Sequence, residues 1–125
     1  MTRTRAGVPG TPVVPPGPSP VDLHVHTTRS DGILEPAALV AAAQQAGVRT
    51  LAITDHDNRA ATRELLMTDG ALPPGLELLA GVEINTAADD RPTPWHDELH
   101  LLGYGVDPSD DGFEALLAAQ RERRR

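Results

Sequence analysis

Between Val21 and Thr27 apolar and polar residues take turns, with Val21, Leu23 and Val25 separated by Asp22, His24 and His26. A period of two is that of a strand, so the pattern predicts β-structure here. Thr28 to Leu34 is a polar loop. Over Pro36 to Ala46 the pattern changes, and Leu39, Val40 and Ala43 mark one face of a helix. Pro36 suits the first turn and Gly47 is a natural stop, whereas Glu35 is a poor cap, so the N-terminus is weakly signalled. Arg49 to Thr54 reads as a second strand ending at Asp55. Asp57 or Asn58 can cap a helix reaching about Met67. After the turn at Pro73-Pro74-Gly75, Leu76 to Asn85 reads as a third strand and Glu98 to Val106 as a fourth. A last helix starts at Gly112 with Asp111 as its cap.

Strand, helix, strand, helix, strand, loop, strand, helix is the alternation of an α/β protein: about four parallel-type strands with helices outside them. Met1 to Pro20 holds six of the twelve prolines and reads as a disordered tail, with folded structure expected over residues 21–125. In a sheet of this kind functional groups gather at the C-terminal ends of the strands. Asp31, His56 and Glu83 occupy corresponding positions.

In an extended strand residues i and i+2 share a face, so His24 and His26 aim their imidazoles together while Val25 faces away. Paired imidazoles with nearby carboxylates are a divalent-metal pattern. Asp31-Gly32 alone would be an ordinary loop dipeptide; its place just past the histidine pair gives it a second meaning. Asp55-His56-Asp57 ends an apolar strand abruptly, and a helix cap at Asp57 leaves His56 unexplained. Glu83 is a carboxylate within an apolar strand and needs a cation or donors. His100 interrupts Leu99 to Leu102 in the same way. His96, beside Trp95 in a polar loop, reads as solvated. Asp22 and Asp55 are candidates to orient ligand imidazoles from behind, with Asp57 a further acid of that kind. Arg29, in the loop beside the histidine pair, is a candidate phosphate contact, with a plain solvated arginine as the alternative.

Composition narrows the chemistry. There is no Cys, so there is neither a disulfide framework nor a thiol nucleophile. A net charge of −7 excludes a broad basic nucleic-acid footprint but not a phosphorylated substrate, because bound cations can dominate a site. No apolar run reaches the roughly 20 residues of a membrane span, and no apolar stretch follows the N-terminal arginines as in a secretory signal. A cytoplasmic protein without membrane contact is the expectation.

Five segments carry a family resemblance. His24-Val25-His26-Thr27, Ser30-Asp31-Gly32, Ile53-Thr54-Asp55-His56-Asp57, Gly81-Val82-Glu83-Ile84 and His100-Leu101-Leu102-Gly103-Tyr104 resemble, in order and spacing, the opening motifs of the polymerase and histidinol phosphatase (PHP) domain. The similarity runs from Val21 to about Val106 and is greatest to stand-alone PHP phosphoesterases acting on nucleotides or short RNA.

The resemblance implies the N-terminal part of a distorted (β/α)7 barrel with two or three divalent ions (Zn, Mn, Fe or Mg) at its mouth. His24 and His26 would bind one ion and Asp31 and His56 another, with Glu83 bridging and His100 serving a further position. The expected reaction is hydrolysis of a phosphate ester, of a nucleotide or short RNA, by a metal-bound hydroxide rather than a side-chain nucleophile. A histidinol-phosphate phosphatase or a polymerase-associated exonuclease is the alternative within the superfamily. Family members continue through further His- and Asp-bearing motifs, so the chain is expected to be truncated. A non-catalytic fragment or interaction module is therefore the alternative of a different class, and an open edge at the fourth strand is a liability for self-association.

Overall fold

A computed structural model describes residues 19–87 and 98–123. The elements run β1 (Val21–Val25), α1 (Pro36–Gln45), β2 (Thr50–Ile53), α2 (Ala60–Met67), β3 (Glu77–Ala87), β4 (Glu98–Tyr104) and α3 (Asp111–Arg123). The Pro-rich tail through Pro18, and His96, lie outside the described residues.

The four strands form one curled, half-barrel sheet in the order β1-β2-β3-β4. β1 and β2 are parallel, as are β2 and β3, each joined by a helical crossover. β4 departs from the parallel expectation and runs antiparallel to β3, with Ala87 opposite Glu98 and Gly81 opposite Tyr104. A parallel return would carry the chain back to the far end of the sheet, usually through a helix. Residue 98 instead sits beside residue 87, so the chain re-enters the sheet where it left. β4 ends the sheet with Leu99 and Leu101 exposed, the open edge expected from the sequence.

The core lies between the sheet and α1 and α2. Val40, Ala43, Leu51, Ile53, Ala61, Leu65, Leu76 and Leu78 form one buried cluster, assembled without a single aromatic ring. Alternation in β2 and β3 explains it: Leu51, Ile53 and Leu78 point to the helices, leaving the other face for polar groups. α1 begins at Pro36 with Glu35 making no side-chain cap, as its sequence predicts, and ends at Gly47 in a left-handed conformation (φ 87°). Ahead of α2, Asn58, one of the two expected caps, accepts at Oδ1 from Ala60 N, whereas ahead of α3 Asp110, not Asp111, accepts from Phe113 N.

Arg59 is the one fully buried cation among the described residues, 2% exposed. Its Nε donates to Glu114 (3.1 Å), and its other nitrogens donate to the carbonyls of Asp107 (2.6 Å) and Asp110 (2.5 Å). α3 is thereby fastened to the segment that precedes α2. Burial pushes the Glu114 carboxyl up, but hydrogen bonds from Arg121 and Arg59 outweigh it and hold the group below its ordinary value. A depressed acid stabilises the fold above its unfolded pKa, and this contribution is lost as pH falls through the folded value. Glu114→Gln should therefore destabilise the chain at pH 7 by about 2 kcal/mol, less than for a fully buried pair because Glu114 is partly exposed. It should also flatten the decline in stability below about pH 4.5, as read by urea titration across pH. Equal pH slopes for the two proteins would refute the coupling.

Candidate metal centre

The site begins with an irregularity in β1. Val21 and Asp22 pair with Thr50 and Leu51, but Val25 pairs with Ile53, so three steps on β1 match two on β2. The extra residue falls at Leu23–His24, and such a bulge re-aims a side chain. The Leu23 carbonyl accepts a hydrogen bond from the Tyr104 hydroxyl of β4 at 2.7 Å. His24 and His26 bring their rings to 5.3 Å from each other, and the Nε2 of each faces the same oxygen, Glu83 Oε1, at 2.5 and 3.4 Å.

Two devices hold the loop after His26. The buried Asp55 carboxylate accepts from Thr27 N (2.6 Å), Thr27 Oγ1 (2.6 Å) and Ser30 Oγ (2.8 Å). Gly32 lies against the His26–Thr27 backbone so closely that a Cβ there would stand 2.3 Å from the His26 carbonyl oxygen. The loop therefore carries Asp31 back over the histidines. Its carboxylate faces His26 Nδ1 at 3.4 Å and His56 Nε2 at 3.1 Å, while remaining largely exposed.

His56 follows β2 and forms an isolated parallel bridge with Glu83. Glu83 N donates to the Asp55 carbonyl and Asp57 N to the Glu83 carbonyl, at 3.1 and 2.9 Å. Asp57 has φ 48°, the only described non-glycine residue in the left-handed region. That turn swings the His56 ring over His26, with centroids 4.5 Å apart and planes 21° apart. His56 Nδ1 donates to Asn85 Oδ1 at 2.9 Å, leaving Nε2 to face Asp31.

Glu83 is the hub. Its side chain is 3% exposed, and the four described histidines stand within 3.4 Å of its oxygens. Oε1 faces His24 and His26, whereas Oε2 faces His56 (3.2 Å) and His100 (2.7 Å). Burial raises this acid, but hydrogen bonds with His100 and His24 and the nearby His56 outweigh it, so the carboxyl lies below its usual range. Three donor groups result: His24, His26 and Glu83; His26, Asp31 and His56; His56, Glu83 and His100.

The donor chemistry fits divalent metal. Imidazoles with carboxylates and no thiolate suit Zn, Mn or Fe. A cation bonded at about 2.1 Å spaces its neighbouring donors roughly 3.0–3.4 Å apart. The contacts of Asp31 with His26 and His56, and of Glu83 with His26 and His56, span 3.1–3.4 Å. The shorter His24–Glu83 and His100–Glu83 contacts have hydrogen-bond lengths.

All six residues expected as ligands thus converge, although they come from three strands and two loops. The supporting acids differ from expectation. Asp55 grips the Thr27–Ser30 loop instead of an imidazole, because its buried oxygens are nearest to those donors. Asp22 accepts from the backbone N of His24 at 3.3 Å. Asp57 Oδ1 accepts from Asn85 N at 3.3 Å. Arg29 is exposed and paired with two acids: it donates to Glu64 at 3.0 Å and faces Glu35 at 3.4 Å, and its pKa is raised, chiefly by the hydrogen bond with Glu64. The sequence reading missed Asn85, which bonds His56. Its place two residues after Glu83 on the same strand face was the available signal.

Comparison with known proteins shows the family of the chain. Residues 22–123 match the family model of the PHP domain. The 5'-3' exoribonuclease Rnm of Escherichia coli is 43% identical over 106 residues, which are 82% of this chain and 33% of the enzyme. The 3',5'-nucleoside bisphosphate phosphatase of Chromobacterium violaceum is 32% identical, over 83% of this chain and 34% of its own length. A crystal structure from Bifidobacterium adolescentis, titled as a metal-dependent phosphoesterase, superimposes with a TM-score of 0.67 and 34% identity, covering 83% of this chain and 34% of that one. The chain spans about a third of the length of the relatives it matches. Among the described residues, no helix is long and apolar enough to cross a membrane.

Proposed function

The chain belongs to the PHP domain family, and on that premise we propose that its clustered imidazoles and carboxylates hold two or three divalent ions for hydrolysis of a phosphate ester, that of a nucleotide or short RNA. The observation that carries this reading is the division of Glu83, whose Oε1 serves His24 and His26 and whose Oε2 serves His56 and His100. A carboxylate that turns one oxygen to each of two imidazole groups is built to bridge two cations.

The remaining donors sort by lone pairs. A neutral imidazole has one, so His26 coordinates through one nitrogen only. With Nε2 directed at the ion shared with His24, its Nδ1–H is left to donate to Asp31. His56, whose Nδ1 donates to Asn85 and lies beside Glu83 Oε2, would offer Nε2 with Asp31 to one further ion, and an ion at Oε2 would be held with His100. His100 extends the Oε2 side. Bound divalent ions supply positive charge for phosphate oxygens and lower the pKa of an attacking water.

The chain's own residues position and balance charge. Asp31 and Glu83 bring two negative charges to the cluster. Two divalent ions would leave it net positive, which suits a phosphate in a protein of net charge −7. Ser30, whose hydroxyl stands 3.5 Å from His26 Nδ1, donates to Asp55 and is held as a structural group. The names of the relatives favour nucleotide or RNA phosphate over other esters, and a water nucleophile needs no covalent intermediate.

Metal analysis of the purified chain tests the reading first. At least two equivalents are expected, with His26→Ala losing the ion that His26 would share with His24 and Glu83. A chain without stoichiometric metal would overturn the proposal. Hydrolysis or competitive binding of 5'-phosphorylated short RNA, a 3',5'-bisphosphonucleotide and histidinol phosphate then ranks the substrates. Preference for histidinol phosphate would refute the nucleotide assignment.

A further inference from the structure

From the contacts of α3 we infer that its last turns position the His56 imidazole, with Arg121 and Gln120 as the positioning residues, acting through the backbones of Asp57 and Asn85. The inference rests on the reading of His56 as a metal ligand. It adds to that reading a part of the molecule with no ligand of its own.

Asp57 is the pivot of the turn that follows His56. A left-handed conformation is unfavourable for a non-glycine residue and persists only where its surroundings over-determine it. Among the described residues, Asp57 is held at three points. Its N–H donates to the Glu83 carbonyl at 2.9 Å, its Oδ1 accepts from Asn85 N at 3.3 Å, and its carbonyl accepts from Arg121 Nη1 at 2.8 Å. The first two contacts come from β3, which the site already uses. The third comes from α3, separated from Asp57 by 64 residues.

A second contact reaches the same imidazole by another route. Gln120 Nε2 donates to the Asn85 carbonyl at 2.5 Å, and Asn85 Oδ1 accepts from His56 Nδ1. Neighbouring residues of one helix turn thus hold the residue after His56 and the residue that accepts from its ring. α3 is itself anchored: Leu117 is 1% exposed, and Arg59 fastens the other end of the helix. Loss of either contact lets the turn relax towards ordinary backbone angles. His56 Nε2 then swings from Asp31, and the ion those two residues would share loses a donor. Among the described residues, α3 makes no hydrogen bond or ion pair to His24, His26 or Glu83.

The test compares Arg121→Met and Gln120→Met with the unaltered chain. Arg121→Met also removes a donor from Glu114, whereas Gln120→Met does not, so agreement between them excludes that route. Titration with Co2+ should show one ion bound 10- to 100-fold more weakly, the range for loss of a group behind a ligand, with the other unchanged. Ring 15N resonances of His56, recorded without metal, should shift in both variants while those of His24 do not. Arg121→Lys, which keeps a donor, should restore part of the affinity. Ala118→Gly supplies the structural control, because it weakens α3 at an exposed position without removing a contact to the loop. If Ala118→Gly shifts affinity and resonances as much as Arg121→Met, or if neither methionine variant does so, the inference fails. If the unaltered chain binds no metal, the proposed function fails, and the His56 resonances still decide the positioning role.

Discussion

Replacing Glu83 by glutamine should lower divalent-metal affinity by more than about 100-fold, the largest loss expected from any single substitution. The amide is nearly isosteric but neutral, and one of its two ends becomes a donor. Whichever way it turns, it presents N–H groups either to His24 and His26 or to His56 and His100. Neither donor group then keeps a carboxylate oxygen without the other losing one. Glu83→Asp separates the bridging role from simple charge. One methylene shorter, it keeps the charge but reaches one side only, so it should retain a single ion. Titration calorimetry with Co2+ or Mn2+ reads both variants, and wild-type stoichiometry in Glu83→Gln would sink the bridging assignment.

Gly32→Ala is the second. The obstacle is backbone, not a movable side chain: the added Cβ would meet the His26 carbonyl oxygen at 2.3 Å, its carbon at 2.5 Å and Thr27 N at 2.8 Å. The loop has to lift, breaking the 2.9 Å hydrogen bond from Gly32 N to the Thr27 carbonyl and carrying Asp31 from between His26 and His56. Overpacking of this kind costs about 3 kcal/mol, which for a domain of this size lowers Tm by on the order of 15 °C. The ion held by Asp31 should be lost while His24, His26 and Glu83 still bind theirs. Thermal unfolding and metal stoichiometry, measured on the same sample, decide it. An unchanged Tm would mean that Gly32 is not pressed against that backbone.

Both effects depend on positions whose meaning is visible only in part from the chain. Glu83 stands out in the sequence as an acid in an apolar strand, and its need for a cation or donors follows from burial alone. That its two oxygens face different histidine pairs does not. Gly32 reads as one half of a loop dipeptide until the loop folds back on His26. Arg59 carried no signal of its own, because an arginine near a helix start is an ordinary surface residue until α3 closes over it, and Asn85 had only its place two residues after Glu83.

What the sequence determined by itself is local and periodic. Alternation placed the strands within a few residues, helical spacing placed α1 and α2, and ligand-type residues at matching strand ends marked the six members of the site. Such features depend on near neighbours in the chain, where periodicity reports which way each side chain points. The tertiary structure alone decided the direction of β4, the bulge that re-aims His24, the left-handed turn at Asp57 and the partners of Asp55 and Arg29. Each is settled by contacts between residues dozens of positions apart. There the nearest available donor or acceptor, not the local pattern, sets where a buried polar group goes.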